Sequence, residues 1–309
     1  MTHSTDGGRV LLAGTINTDL VARLRRAPEA GETVTGYSFS VFGGGKSANQ
    51  AVAAARSGAR AVMLGAVGED DFGRQRLADL RAEGIDTDSV GVSHEAASGV
   101  ALITVEESTG QNRIAYVPGA TLTVTPEDAL AALARVEPAV VLMTLELPMA
   151  TLEALVDAAG PTGATIMLNA TPEAITAAPI LRRVDVLVVN ETEAAELLGH
   201  SVDPDTAESA AEALAALGPG VVVVTLGAAG AVVLDHGRPS RVPAPSVTVV
   251  DTTGAGDAFC GAAAARLAEG ASATEAARAG VVAGSIAASR AGAQPSMPTR
   301  AEIDAALGR

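Results

Sequence analysis

Three stretches of this chain, VVLMTL (140–145), VLVV (186–189) and VVVVT (221–225), are apolar runs, each separated from the next by a segment long enough to hold helices. A strand with no polar face has no side to turn to water, so it must be covered above and below. That is the pattern of a parallel sheet sandwiched between helices, and it excludes an open antiparallel sheet with one wet face. The same rhythm extends along the chain. Apolar runs at 10–13, ending at Gly14, and at 61–67 and 165–168 read as further strands. Segments 71–83, 149–159, 191–198 and 205–217 read as helices, as does one capped by Thr125 with Pro126 at its first position. Strands at 231–234 and 247–250 are expected to close the sheet as an antiparallel edge, and helices from Ala255, Ser272 and Thr299 to finish the chain.

Residues 32–42 interrupt this order, as do 100–105 with 113–117, which form a hairpin turning about Glu107 to Gly110; their β-branched and aromatic content predicts strands. They are expected to form a small separate sheet, a lid over the strand ends, with strands at about 15–24, 32–42, 99–106 and 112–118. No repeat, linker or domain boundary is visible, so residues 1–309 are expected to be one domain. A length of 309 residues with 48% hydrophobic content is enough for a large core. The formal net charge of −15 excludes the basic footprint of a nucleic-acid binder and disfavours an acidic membrane surface. The expected partner is a small molecule, and any anionic substrate must be held by backbone dipoles, a few Lys or Arg, or bound cations. The lone Cys260 rules out an internal disulfide framework, and the four histidines have no zinc spacing. With no apolar leader at 1–9 and no apolar run of membrane-spanning length, a cytoplasmic location is expected.

The chemistry concentrates where the predicted strand 247–250 would run through a glycine turn into a helix, at Asp251-Thr-Thr-Gly254-Ala255-Gly256-Asp257. Unpaired N–H groups and the helix dipole make such a turn an anion site. Asp257 is either a helix cap or a base that takes a proton from a hydroxyl beside a phosphate. Gly45-Lys46-Ser47 ends like a P-loop, but Ser40 stands where that motif requires glycine; Phe259 likewise breaks a dinucleotide fingerprint after Gly254 and Gly256. Both readings are rejected, which disfavours a nicotinamide enzyme. Lys46 and Asn49 remain as groups able to bond hydroxyls. Asn190 and Glu193 follow an apolar strand as a capping box, or as organisers of water around Mg²⁺. Thr225 to Gly230 offers a flat glycine surface or a hairpin turn, and Glu146 ends another strand. Polar residues at five strand ends point to one crevice.

These residues resemble the ribokinase family of sugar kinases within the larger PfkB group. The resemblance rests on Gly14-Thr-Ile-Asn17-Thr-Asp19, Gly31-Glu-Thr-Val34, Gly44-Gly-Lys46-Ser-Ala-Asn49, Asn190-Glu-Thr-Glu193, Thr225-Leu-Gly227, Asp251 to Asp257 and Gly292-Ala-Gln-Pro-Ser296. It implies a three-layer α/β/α core with a mostly parallel central sheet and a β-sheet lid. It also implies transfer of the ATP γ-phosphoryl group to the 5-hydroxyl of D-ribose, the alternatives being a kinase for deoxyribose, fructose or adenosine, or a non-catalytic sugar-binding protein. Carried over by position, Asp257 would be the base and Gly254, Ala255 and Gly256 the anion hole. Asn17, Asp19, Gly45, Lys46, Asn49 and Glu146 would bind the sugar. Asn190 with Thr225, Leu226, Gly227, Ala228, Ala229, Gly230 and Gly256 would face ATP, with Glu193 reaching Mg²⁺ through water. Asp251, Thr253, Ala287, Arg290, Gly292 and Ser296 would hold an activating K⁺, several through carbonyls. A homodimer through the lid strands is implied as well. Two departures stand out. Val281 occupies a position near the adenine where a polar residue is common. Ser47 replaces a frequent glycine, and its hydroxymethyl is expected to project near the glycine turn and bear on sugar preference.

Overall fold

The computed structural model of the chain describes residues 8–107, 111–171 and 173–308. In chain order its elements are β1 (Arg9–Ala13), β2 (Asn17–Leu24), β3 (Gly36–Gly44), α1 (Lys46–Arg56), β4 (Arg60–Gly68), α2 (Asp71–Ala82), β5 (Asp86–Ser93), β6 (Gly99–Glu106), β7 (Asn112–Val117), α3 (Pro126–Val136), β8 (Val140–Thr144), α4 (Met149–Ala159), β9 (Thr165–Asn169), β10 (Val186–Asn190), α5 (Glu191–Leu198), α6 (Ala207–Ala215), β11 (Val221–Thr225), β12 (Ala231–Asp235), β13 (Arg238–Val242), α7 (Ala255–Ala268), α8 (Ala273–Ala288) and α9 (Arg300–Ala306). One sheet has the strand order β13-β12-β11-β10-β9-β8-β1-β4-β5, and a smaller one the order β3-β2-β6-β7. From β5 through β11 neighbouring strands are parallel. β12 and β13 add antiparallel at one edge.

Successive side chains of a strand point to opposite faces. Leu11, Leu187 and Val189 therefore enter the core under α3 to α6, whereas Leu12, Val186 and Val188 enter the core under α1, α7 and α8. This two-sided burial is why the central strands carry no polar alternation. Truncating a fully buried residue such as Leu142 to Ala would cost about 2–5 kcal/mol. On the α1, α7 and α8 side the helices meet through alanine and glycine. A Cβ at Gly261 would stand 2.5 Å from Ala53 Cβ and 2.7 Å from Ala54 N, and one at Gly280 would stand 2.7 Å from the Phe259 ring. Only small residues let α7 approach both neighbours so closely, and this approach sets α1 against the first turn of α7.

The structure departs from the sequence reading in several places. Residues 247–250 form no strand: the edge strand is β13, and Val249 and Val250 are exposed. β13 takes the place beside β12 instead, and Val250 N bonds Ala288 O of α8 at 2.9 Å. β5 is an additional edge strand, too polar to announce itself. Asn17 and Asp19 lie in β2, the lid strand expected at about 15–24, which pairs antiparallel with β3 and parallel with β6. The strand expected at 32–42 is β3, displaced towards its C-terminal end, and the helix expected at 205–217 is the shorter α6. Of the hairpin turn expected at Glu107 to Gly110, residues 108–110 lie outside the described residues.

Candidate active site

α7 begins where the backbone turns left-handed at Gly254 (φ +77°), which occupies the N-cap. Asp257 sits in the first helical turn and makes no capping bond, so it is not the cap. Its carboxylate is held instead by α1. Asn49 Nδ2 donates to Oδ2 and Gln50 Nε2 to Oδ1, each at 3.0 Å, and Gln50 Nε2 also reaches Asn169 Oδ1 at 3.0 Å. One amide on each oxygen fixes the plane of the carboxylate and leaves each oxygen a second lone pair. Burial pushes the Asp257 carboxyl up, against Lys46 and the two amides. A carboxylate with a raised proton affinity is a better proton acceptor. Among the described residues the N–H groups of Gly256 and Asp257 have no backbone acceptor, while Ala258 N already bonds to Gly254 O at 2.8 Å. Gly256 has nothing within 4 Å of where a Cβ would lie and no positive φ. The fold does not require glycine there; an open approach to the helix N-terminus does.

Asp257, Gly254 and Gly256 border a cavity of about 430 Å³ together with Lys46, Asn190, Glu193, Thr225 and Gly227. An adjoining cavity of about 410 Å³ shares Thr225, Gly227 and Gly256 and continues between Ala228, Gly230, Ala255, Val281, Val247 and Val249. The 247–250 segment, expected as a strand, is thus an apolar wall. Gly230 is needed for the turn that shapes this second cavity: its φ is +89°, and a Cβ would stand 2.7 Å from Ala244 N. The Leu226 side chain is buried in the core, so that residue can offer only its backbone. Asn190 and Glu193 do form a reciprocal capping box, at 2.8 and 2.9 Å. One Glu193 oxygen is thereby used, and burial raises its carboxyl while Asn190 and Thr171 oppose.

Asn17, Asp19, Gly45, Asn49 and Glu146 do not line these cavities. They gather on the other side of Asp257, beneath the small sheet. Asn17 is buried, and its Oδ1 occupies the place of a Gly99 Cβ; the Asp19 carboxylate fills that of Gly44. A Cβ at Gly45 would meet Thr15 O at 2.6 Å and Asn17 N at 2.8 Å. Burial pushes the Asp19 carboxyl up to about 6; Arg76 lowers it and Asp257 raises it. Glu146 is likewise pushed up by burial, against Thr15, Lys46 and Thr144. Buried carboxylates and amides in this number, with Asn17 Oδ1 and Asn49 Oδ1 lacking partners, suit a ligand rich in hydroxyl groups. Ser47 does not project towards that space. Its hydroxyl is fully buried, donating to Ala13 O at 3.1 Å and lying 3.1 Å from Thr144 Oγ1.

Asp251 ties two loops together. It accepts from Thr253 N (2.9 Å), Thr253 Oγ1 (2.6 Å) and Gly292 N (2.9 Å). Burial works to raise its carboxyl, and these bonds overrule it and hold it low. The Arg290 guanidinium turns to Glu302 and the Ser296 hydroxyl to Ala293 O (2.7 Å), so both could serve a cation only through carbonyls, as could Ala287. Asp251 and backbone carbonyls are oxygen donors only, the chemistry that a hard cation takes.

Gln50 and Asn169 escaped the sequence reading. The available signal was an amide directly after Asn49 in a helix otherwise built of alanine. Val247 and Val249 were expected in a strand, and Thr15 entered only within the Gly14 to Asp19 stretch.

A family model, "pfkB family carbohydrate kinase", matches residues 8–300. The chain is 40% identical to a ribokinase of Mus musculus over 263 residues, 83% of this chain and 81% of that protein. It is 38% identical to a ribokinase of Bacillus subtilis over 299 residues, 96% of this chain and 99% of that protein. Its fold is similar to that of Arabidopsis thaliana ribokinase complexed with ribose and ATP, with a TM-score of 0.87 and 28% identity, covering 98% of this chain and 99% of that one.

Proposed function

Because this chain belongs to the pfkB family of carbohydrate kinases, we propose that it transfers the γ-phosphoryl group of ATP to the 5-hydroxyl of D-ribose, with Asp257 as general base. The observation that carries the assignment is the Asp257 carboxylate, fixed by two amides of α1 and set beside the free N–H groups of a glycine turn. The sugar lies on the Asn17, Asp19, Glu146 side, where Asn49 and Lys46 reach both it and the base. ATP lies on the Asn190 and Thr225 to Gly230 side, its adenine against the apolar wall near Val281 and its γ-phosphate at Gly254, Ala255 and Gly256. Asp257 takes the hydroxyl proton as the oxygen attacks the γ-phosphorus in line, the bond to the bridging oxygen breaks and ADP leaves, and the N–H groups of Gly256 and Asp257 receive the charge of the transferring oxygens. Turnover then falls as pH drops through the raised Asp257 value.

Glu193, with one carboxylate oxygen outside the capping box, would reach Mg²⁺ through water, and the chemistry such an ion would supply is neutralisation of phosphate charge. K⁺ would be held by Asp251 and the carbonyl oxygens of Thr253, Ala287, Arg290, Gly292 and Ser296. Its chemistry is to steady the two loops that Asp251 already joins. The small sheet turns Phe39, Val41, Leu102 and Val117 outward on one face, an exposed apolar surface that supports a homodimer through the lid strands. Cys260, free and buried, accords with a reducing cytoplasm.

The test is a phosphorylation assay over ribose, deoxyribose, fructose and adenosine, with and without K⁺. Ribose is expected to give the highest kcat/KM, raised by K⁺. Preference for adenosine or fructose, or no ribose-dependent ADP release, would overturn the assignment.

A further inference from the structure

Behind Glu146 lies a chain of three hydroxyls closed off from water: Thr15, Thr144 and Ser47, each 0% exposed. Thr15 Oγ1 donates to Glu146 Oε2 at 2.5 Å and Thr144 Oγ1 to the same oxygen at 3.0 Å. Both bonds converge on one oxygen, which leaves Oε1 to meet a ligand. A hydroxyl has a single proton. Once Thr144 gives its proton to Glu146, its oxygen can only accept, and the neighbouring donor is Ser47 Oγ at 3.1 Å. Ser47 shares its proton between Thr144 and Ala13 O, also at 3.1 Å. The space is kept open by Gly14, where a Cβ would stand 2.6 Å from Thr144 Oγ1. Donors in series polarise one another, so the outer hydroxyl strengthens the inner bond to the carboxylate.

We propose that Ser47, acting through Thr144, is a positioning residue that keeps Glu146 an acceptor and turns Oε1 towards the sugar. This rests on the assignment of Glu146 to the sugar site. The charged and titratable groups facing Glu146 from other elements are Lys46 on α1, Asp257 on α7 and Tyr116 on β7. None of them is altered by a change at Ser47 or Thr144. Without the outer hydroxyl, Glu146 accepts a weaker bond and takes up its proton at a higher pH.

The experiment is titration calorimetry of ribose, without nucleotide, from pH 4.5 to 8, for the wild type, Ser47→Ala, Thr144→Val, the double variant, Thr144→Ser and Glu146→Gln. Thr144→Val is expected to weaken ribose binding at pH 7 by about tenfold, the loss of one hydrogen bond to a charged group, and Ser47→Ala by less, about twofold, because it removes only the bond that polarises the inner one. Each should also move the pH at which binding fails upward, with the Kd for ADP unchanged. The double variant should be no worse than Thr144→Val alone, and Thr144→Ser should return the pH midpoint towards wild type. Wild-type ribose affinity and pH midpoint in Ser47→Ala, or additive losses in the double variant, would overturn the proposal. Should Ser47→Ala fail to fold, the contrast between Thr144→Val and Thr144→Ser decides. Unchanged ribose affinity in Glu146→Gln would instead remove Glu146 from the sugar site, a separate failure.

Discussion

A methyl group at Gly261, one turn along α7 from Asp257, is expected to disable that carboxylate. In Gly261→Ala the new Cβ would stand 2.5 Å from Ala53 Cβ and 2.7 Å from Ala54 N, atoms at the heart of α1 that cannot swing aside. Carbon atoms in ordinary contact are about 3.5 Å apart, so α1 and α7 must part by about 1 Å. Asn49 and Gln50 ride on α1, and their bonds to Asp257, now 3.0 Å, would stretch to about 4 Å, beyond hydrogen-bond reach. The overpacking costs about 1–3 kcal/mol of stability. A misplacement of about 1 Å at the reacting group costs on the order of 10² in rate. With the amides gone, the Asp257 carboxyl rises further, so the acid limb of the rate profile moves to higher pH. Ribose-dependent ADP release gives kcat and its pH dependence, thermal melting gives the stability loss, and titration with ADP shows whether the nucleotide side survives. If the melting temperature falls while kcat stays within about threefold of wild type, the amides of α1 do not control the base.

Other outcomes follow from the same geometry. Gly256→Ala should melt within about 0.5 kcal/mol of wild type, since nothing lies within 4 Å of its Cβ, yet lose kcat because the methyl stands where the phosphoryl group must approach. Asp257→Asn should cut kcat by about 10²–10⁴ with ADP affinity retained, and near-normal turnover would rule out the base. Asp19 binds its proton more tightly in the folded protein than in the unfolded chain, with a value of about 6 against 3.8, so its contribution to stability is present below about pH 4 and lost as pH rises through 6. Asp19→Asn should therefore raise stability at pH 7, by on the order of 2 kcal/mol, and not at pH 3.5, while weakening ribose binding; equal effects at both pH values would refute the burial argument. On the proposed dimer through the lid strands, Phe39→Asp should shift sedimentation towards monomer, and a wild type that sediments as a monomer, or an unchanged mass in the variant, would refute that interface.

The parallel core was legible because its signal is local: a strand buried on both faces cannot hide its composition, as 186–189 and 221–225 show. Residues 247–250 misled for the complementary reason. Four β-branched or apolar residues look like a strand whether they pair with a neighbour or wall a cavity, and nothing within the four distinguishes the cases. β13, with Arg238, Pro239 and Arg241, advertises an edge strand poorly. At the site, Asp257 and Asn49 could be singled out from their motifs, but their joining could not, because it depends on how closely α1 and α7 pack at Gly261. Ser47 was misjudged on direction alone. Its neighbour Thr144 belongs to β8, 97 positions away, and no periodicity encodes which way a serine at a helix start will turn.

The bond from Asn49 to Asp257 spans 208 residues, and that from Gln50 to Asn169 spans 119. Contacts of such separation are made late in folding, because the intervening chain must first be ordered. During synthesis the sugar side emerges long before its base, so a nascent chain lacking α7 holds the groups for the acceptor but none of the apparatus for transfer. On refolding, recovered activity should trail the recovery of helix and sheet. With Asp257 as the proposed base, its bonds make catalysis a report on the whole core having closed, and a fragment or a loosely packed form of this chain is expected to fall silent rather than work slowly.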